Sequence, residues 1–101
     1  MPTPFSELIQ SNKPVLVDFF ATWCGPCRTI APILKEVKSN LGDKVSIIKI
    51  NVDQNPRGAA AYDVQGVPTL ILFRNGSVVW RHSGVVSANQ LEQVIAQHTG
   101  Q

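Results

Sequence analysis

The sequence predicts an α/β protein built on a small mixed sheet with helices on both faces. Three observations carry this. Apolar periodicity alternates between helical and strand spacing in the order α, β, α, β, α, β, β, α. The first strand pattern, Val15 to Phe20, is apolar on both faces except at Asp18, as in a strand at the middle of a sheet covered on both sides. The last two strand patterns flank Asn75-Gly76, a strong signal for a tight antiparallel hairpin.

The elements follow in order. Thr3 to Ser11 reads as a short helix, with Thr3 able to cap it, Pro4 at the tolerated first position, and Phe5, Leu8 and Ile9 on an apolar face. Lys13-Pro14 opens the Val15–Phe20 strand. From Gly25 the apolar residues Ile30, Ile33, Leu34, Val37 and Leu41 follow helical spacing. That helix should run to about Asn40, stop near Gly42, and kink at Pro32. Val45 to Val52 is a second strand, joined to the first by a helix and so expected parallel to it with a right-handed crossover. Asn55-Pro56 starts a short helix reaching about Tyr62. Thr69 to Phe73 and Val78 to His82 form the hairpin. Ser87-Ala88-Asn89-Gln90 is a capping box for a last helix with Leu91, Val94, Ile95 and His98 on one face.

Bulk properties narrow the function classes. The chain has 101 residues, 44% of them hydrophobic, and a net charge of +2; its mean hydropathy is +0.04. Residues 1–101 are expected to form one domain with a core of its own. The basic residues are scattered without a run, which disfavours nucleic acid or an anionic membrane as partner. No apolar stretch is long enough to span a bilayer. The start shows neither a basic segment nor a long apolar one, and the expected compartment is the cytoplasm. A mature exported chain would look much the same.

The chemistry concentrates in Trp23-Cys24-Gly25-Pro26-Cys27, which holds both cysteines of the chain where a strand meets a helix. A metal clip would need further ligands, and the two histidines, His82 and His98, stand sixteen residues apart, outside the usual ligand spacing. A structural staple closing so short a loop is worth only about 2 kcal/mol. Reversible thiol–disulfide chemistry fits best. If Cys24 caps the helix, Pro26 has no N–H and the Cys27 amide is left to donate to the Cys24 sulfur. The positive end of the helix dipole also favours a thiolate there. Cys24 is therefore expected to be the exposed, acidified attacking thiol, and Cys27 the more buried, resolving one.

The segment Val17 to Cys27 resembles the active-site region of the thioredoxin family. Ala31-Pro32-Ile33-Leu34, Asn51-Val52-Asp53-Gln54-Asn55-Pro56, Gly66-Val67-Pro68-Thr69-Leu70 and Phe73-Arg74-Asn75-Gly76 resemble later landmarks of that family, in order. The resemblance implies a thioredoxin fold and reduction of protein disulfides through the Cys-Gly-Pro-Cys site. It also implies roles for further residues. Asp18, a carboxylate in an apolar strand whose pKa burial should raise, matches the proton acceptor and donor of the resolving cysteine. Lys49 would by default be a protective edge-strand lysine; the family pattern pairs it with the buried Asp. Pro68, by default a trans proline, matches a cis-proline loop facing the disulfide. There Val67 would pair its backbone with an extended substrate, within a docking surface of Trp23, Gly25, Pro26, Val67, Pro68 and Gly84.

The resemblance further implies no bound cofactor beyond the Cys24–Cys27 disulfide, and the cysteine count and histidine spacing leave no metal expected. It implies disulfide-containing substrate proteins as partners, and a thioredoxin reductase that supplies NADPH and FAD chemistry. The chain is expected to act as a monomer. Two departures stand out. The family's first β-strand is missing, so the sheet should have four strands with Val45–Val52 exposed at its edge. Phe20 stands where the family commonly has Trp. The alternatives are an exported disulfide oxidase or isomerase, and a binding or chaperone module that works without redox turnover.

Overall fold

The structure is a computed structural model that describes residues 4–99. Its elements are α1 (Pro4–Leu8), β1 (Val15–Phe20), α2 (Gly25–Leu41), a 3-10 turn (Gly42–Lys44), β2 (Ser46–Asn51), α3 (Pro56–Ala61), β3 (Thr69–Arg74), β4 (Ser77–Ser83) and α4 (Ala88–Gln97). The four strands form one sheet in the order β2-β1-β3-β4. β1 pairs parallel with β2 and antiparallel with β3, and β3 pairs antiparallel with β4. The mixed sheet and the edge position of β2 match the sequence expectation.

Each element follows from its residues. β1 is buried along nearly its whole length, and its alternate side chains serve two separate cores. Leu16 joins Leu70 and Leu72 beneath Ile30, Leu34 and Val37 of α2 and Leu91 and Ile95 of α4. Val15, Val17 and Phe19 join Ile71 and Phe73 on the opposite face, closed by Phe5 and Tyr62. There Phe5, Tyr62 and Phe73 meet edge to face with centroids 5.1–5.9 Å apart, a geometry that aromatic quadrupoles favour. The hairpin turn has positive φ at both Asn75 (54°) and Gly76 (81°), as a type I′ turn requires. A bulge lies just beyond it: Leu72 faces Trp80 and Phe73 faces Val78, so Val79 has no partner.

The boundaries differ from the sequence reading where caps and turns intervene. Thr3 lies outside the described residues, and α1 ends at Leu8, three residues early, as the chain turns toward Pro14. α2 runs unbroken through Pro32 to Leu41, although Pro32 offers no N–H to the preceding turn. It stops where Gly42 takes φ 56° and Lys38 Nζ donates to the carbonyls of Gly42 and Val45. β2 begins at Ser46, whose N–H reaches the Pro14 carbonyl. His98 caps α4 rather than extending it.

Ser87 accepts from the Gln90 N–H at 3.1 Å, and the Gln90 side chain returns to the Ser87 N–H. This reciprocal cap anchors a helix that supplies two buried residues to the larger core. Ser87→Ala should lower unfolding stability by about 1 kcal/mol. Urea titration would show a lower midpoint with an unchanged slope; an unchanged midpoint would mean the cap contributes nothing.

Candidate active site

The start of α2 is set by Cys24, which has extended backbone (φ −92°, ψ 115°) and occupies the N-cap. Its Sγ accepts the Cys27 N–H at 3.1 Å. Pro26 sits within the first helical turn and has no N–H to compete. Cys24 and Cys27 are joined as a disulfide with Cα atoms 5.3 Å apart. The approach to the helix is tied down by the Cys24 N–H on the Ala21 carbonyl and by Arg28 reaching back to the Thr22 carbonyl. The first turn thus fixes the two sulfurs and directs a backbone donor at only one of them.

In one respect the structure corrects the sequence reading. Cys24 was expected exposed and Cys27 buried; in the disulfide form Cys24 is 4% exposed and Cys27 6%. Both cysteines pack with Ala21 against Phe20, Val52 and Val67. In this disulfide form the asymmetry between the two sulfurs lies in the hydrogen bond, not in exposure.

Around the pair the surface is open. Trp23 is 68% exposed, and Gly25 and Pro26 are exposed beside it. The Trp23 indole N–H donates to Asp53 Oδ2 at 2.9 Å. Asp53 is held in turn by an Asx turn, its N–H bonding Asn51 Oδ1 at 2.9 Å. Sequence reasoning gave Asp53 and Asn51 no role; an Asn at a strand end two residues before an Asp is the signal that could have found them.

Val67-Pro68 is a cis peptide bond. Pro68 is buried and Val67 half-buried against the cysteines. The loop is secured from both sides. The buried Thr69 hydroxyl donates to the Gly66 carbonyl at 2.6 Å, and the Gly84 N–H donates to the Pro68 carbonyl at 2.9 Å. Gly84 has φ +98°, a conformation open to glycine at little cost. Between this loop and Trp23 lies a groove of about 100 Å³, lined also by Val52 and Val64. Trp23, Gly25 and Pro26 thus adjoin the cysteines in the chain, Val67 packs against them, and Gly84 is tied to Pro68 beside Val67.

Asp18 and Lys49 lie one strand apart, paired in register across β1 and β2. Alternation along β1 puts Asp18 on the face of Leu16 and Phe20, the face that α2 covers. Asp18 is 1% exposed, and among the described residues neither carboxylate oxygen has a hydrogen-bond partner. Burial pushes its pKa up to about 6, against a smaller opposing pull from the Lys49 ammonium. Lys49 is exposed and holds its Nζ 5.2 Å from the Phe20 ring centroid, so Phe20 connects the lysine to the packing under the disulfide. His82 stacks on Trp80 elsewhere on the sheet, and His98 ends α4. Among the described residues, no three His, Cys, Asp or Glu side chains group to hold a metal.

Comparison with known proteins accords with this geometry. The family model described as Thioredoxin matches residues 1–97. The chain is 49% identical over 92 residues to thioredoxin Y, chloroplastic, of Oryza sativa subsp. japonica, covering 90% of this chain and 55% of that protein's length. It thus spans about half of the rice relative. It is 47% identical over 92 residues to the thioredoxin of Alicyclobacillus acidocaldarius, covering 91% of this chain and 88% of that one. Among solved structures, a mutant thioredoxin from Halobacterium salinarum superposes with a TM-score of 0.87 at 35% identity, over 96% of this chain and 84% of that one.

The Asp18 carboxyl carries a pH signature. Its native pKa of about 6 exceeds the ordinary value of 3.8, so between these two pH values the folded state binds more protons than the unfolded. Stability should therefore fall as pH rises from about 4 to about 6 and level off above. Asp18→Asn should flatten that slope and stabilise the oxidised protein at about pH 8, by up to about 3 kcal/mol. Urea titrations of both proteins across this range would test it; parallel pH profiles would contradict it.

Proposed function

The chain belongs to the thioredoxin family, and on that premise we propose that it reduces disulfides in other proteins through a cycle in which Cys24 attacks and Cys27 resolves. It is a thiol–disulfide oxidoreductase whose redox-active group is the Cys24–Cys27 pair. The observation that carries the proposed order is the 3.1 Å hydrogen bond from the Cys27 N–H to the Cys24 sulfur. That donor, with the helix dipole, stabilises negative charge on Cys24 in preference to Cys27.

In the proposed cycle the Cys24 thiolate attacks one sulfur of a substrate disulfide. A mixed disulfide forms and the other substrate sulfur leaves as thiolate. Cys27 then loses its proton and attacks Cys24, closing the intramolecular disulfide and releasing the second substrate thiolate. Asp18 is the acceptor we assign for the Cys27 proton. A carboxyl poised at about 6 exchanges protons readily near neutral pH, and Lys49 keeps it from rising further. The substrate lies extended along the Val67-Pro68 loop and pairs with the Val67 backbone, while Trp23, Gly25, Pro26 and Gly84 supply the surrounding contact.

Two electrons must then be returned to the disulfide. We assign this to a thioredoxin reductase, to which the flavin and the nicotinamide belong, so that the protein serves as an electron carrier needing no bound cofactor. Residues 1–101 act in this reading as a single, monomeric thioredoxin domain in the cytoplasm. A chain whose two cysteines form one reversible pair suits a reducing compartment. Among the described residues, no helix is long and apolar enough to cross a membrane.

Insulin disulfide reduction, driven by NADPH and a thioredoxin reductase, tests the cycle. The wild type should turn over, Cys24→Ser should be inactive, and Cys27→Ser should accumulate a mixed disulfide on Cys24 that mass spectrometry can locate. Wild-type inactivity would overturn the function; trapping on Cys27 in Cys24→Ser instead would reverse the order of attack.

A further inference from the structure

Among the described residues, β2 has a strand neighbour on one side only. The Ser46 and Val52 N–H groups bond to the carbonyls of Pro14 and Phe20. Alternation therefore turns the even-numbered residues of β2 toward β1 and leaves the N–H and C=O groups of Ile47 and Lys49 pointing out of the sheet. Such an edge is a template for another strand.

The grooves on either side of this edge differ in chemistry. On the α1/α3 side, beside Ile50, a mainly apolar groove of about 330 Å³ is walled by Phe5, Phe19, Ala61 and Tyr62, with Ser6, Asn55 and Arg57 also on its lining. On the α2 side, a groove of about 220 Å³ has Ala31, Leu34 and Ile47 as its apolar lining, with Lys35, Lys38 and Lys49 around it and no acidic residue. Lys38 is engaged with the carbonyls of Gly42 and Val45, which leaves Lys35, and Lys49 with its exposed side chain beside Phe20, to meet an incoming group. A strand laid along β2 would direct successive side chains alternately into these two grooves.

We propose that the outer edge of β2 docks an extended segment of a partner protein in which acidic and apolar residues alternate. Its backbone pairs with Ile47 and Lys49, its carboxylates meet Lys35 and Lys49, and its apolar side chains enter the groove beside Ile50. The charge pattern selects this occupant over a second copy of the chain. Two β2 strands related by a two-fold axis normal to the sheet would bring both sets of lysines onto one face, and like charges opposed across strands are destabilising. The site is separate from the cis-proline loop, which leads into β3, two strands across the sheet.

The probe is a blocked hexapeptide, Glu-Val-Glu-Ile-Glu-Val, titrated into the oxidised protein and followed by backbone amide NMR. Saturable shifts and slowed amide exchange should centre on Ile47 and Lys49. A Lys-Val-Lys-Ile-Lys-Val peptide should leave them unmoved. Lys35→Glu should weaken binding by about fivefold, the size of one exposed charge pair. Ile47→Pro removes an outward N–H without touching the β1 ladder, as edge strands tolerate, and should abolish binding. Should that variant fail to fold, Lys35→Glu still decides the matter. The proposal is overturned if no shift saturates up to millimolar peptide, if the lysine peptide binds as well, if Lys35→Glu binds unchanged, or if the shifts gather at Trp23 and Val67. Concentration-dependent dimerisation through β2 in sedimentation would also overturn it.

Discussion

The first turn of α2 is the constraint on which the rest of the site depends. A helix that starts at Cys24 must leave its first N–H groups without partners inside the helix. Pro26 removes one of them, and the Cys27 N–H turns to the Cys24 sulfur. The same turn sets the Cα separation at 5.3 Å, within the range a disulfide spans. Two chemically identical side chains are thereby made unequal by backbone geometry alone. The buried body of α2, with Ile30, Leu34 and Val37 in the larger core, holds that turn in place against the sheet.

The sheet contributes a second inequality. Asp18 is expensive to keep ionised where it stands, because among the described residues no donor meets its oxygens and Lys49, which favours the charge, lies on an exposed edge strand. The fold tolerates this at a strand whose other residues are among the most buried in the chain. Packing around Val15, Leu16, Val17 and Phe19 offsets a carboxyl whose ionisation costs stability above its pKa. That cost, two residues before Phe20 under the disulfide, is what supports the proton-transfer role proposed for Asp18.

Much of this was legible in the residues. The hairpin could be read because Asn75-Gly76 accepts positive φ at both positions, and the last helix because Ser87 and Gln90 form a reciprocal cap. Those signals are local. What escaped was set by contacts between distant segments. The burial of Cys24 depends on Val52 and Val67, which come from two other parts of the chain. The anchoring of Trp23 by Asp53 spans thirty residues of sequence. The isomer at Pro68 could be anticipated only through family resemblance, since nothing in Gly66-Val67-Pro68-Thr69 dictates it by itself. Lys49 shows the intermediate case: its edge strand was readable from the spacing of elements, its place opposite Asp18 only through family resemblance.

The account stands on the inequality of the two thiols, and competitive alkylation measures it most directly. The reduced protein would be treated briefly with iodoacetamide across a range of pH and the label located by mass spectrometry. Cys24 should take the label first, and its rate should be half-maximal well below about pH 8.5, the value for an unperturbed thiol. Labelling that favours Cys27, or a Cys24 profile centred at the unperturbed value, would contradict the claim that the helix start selects the nucleophile.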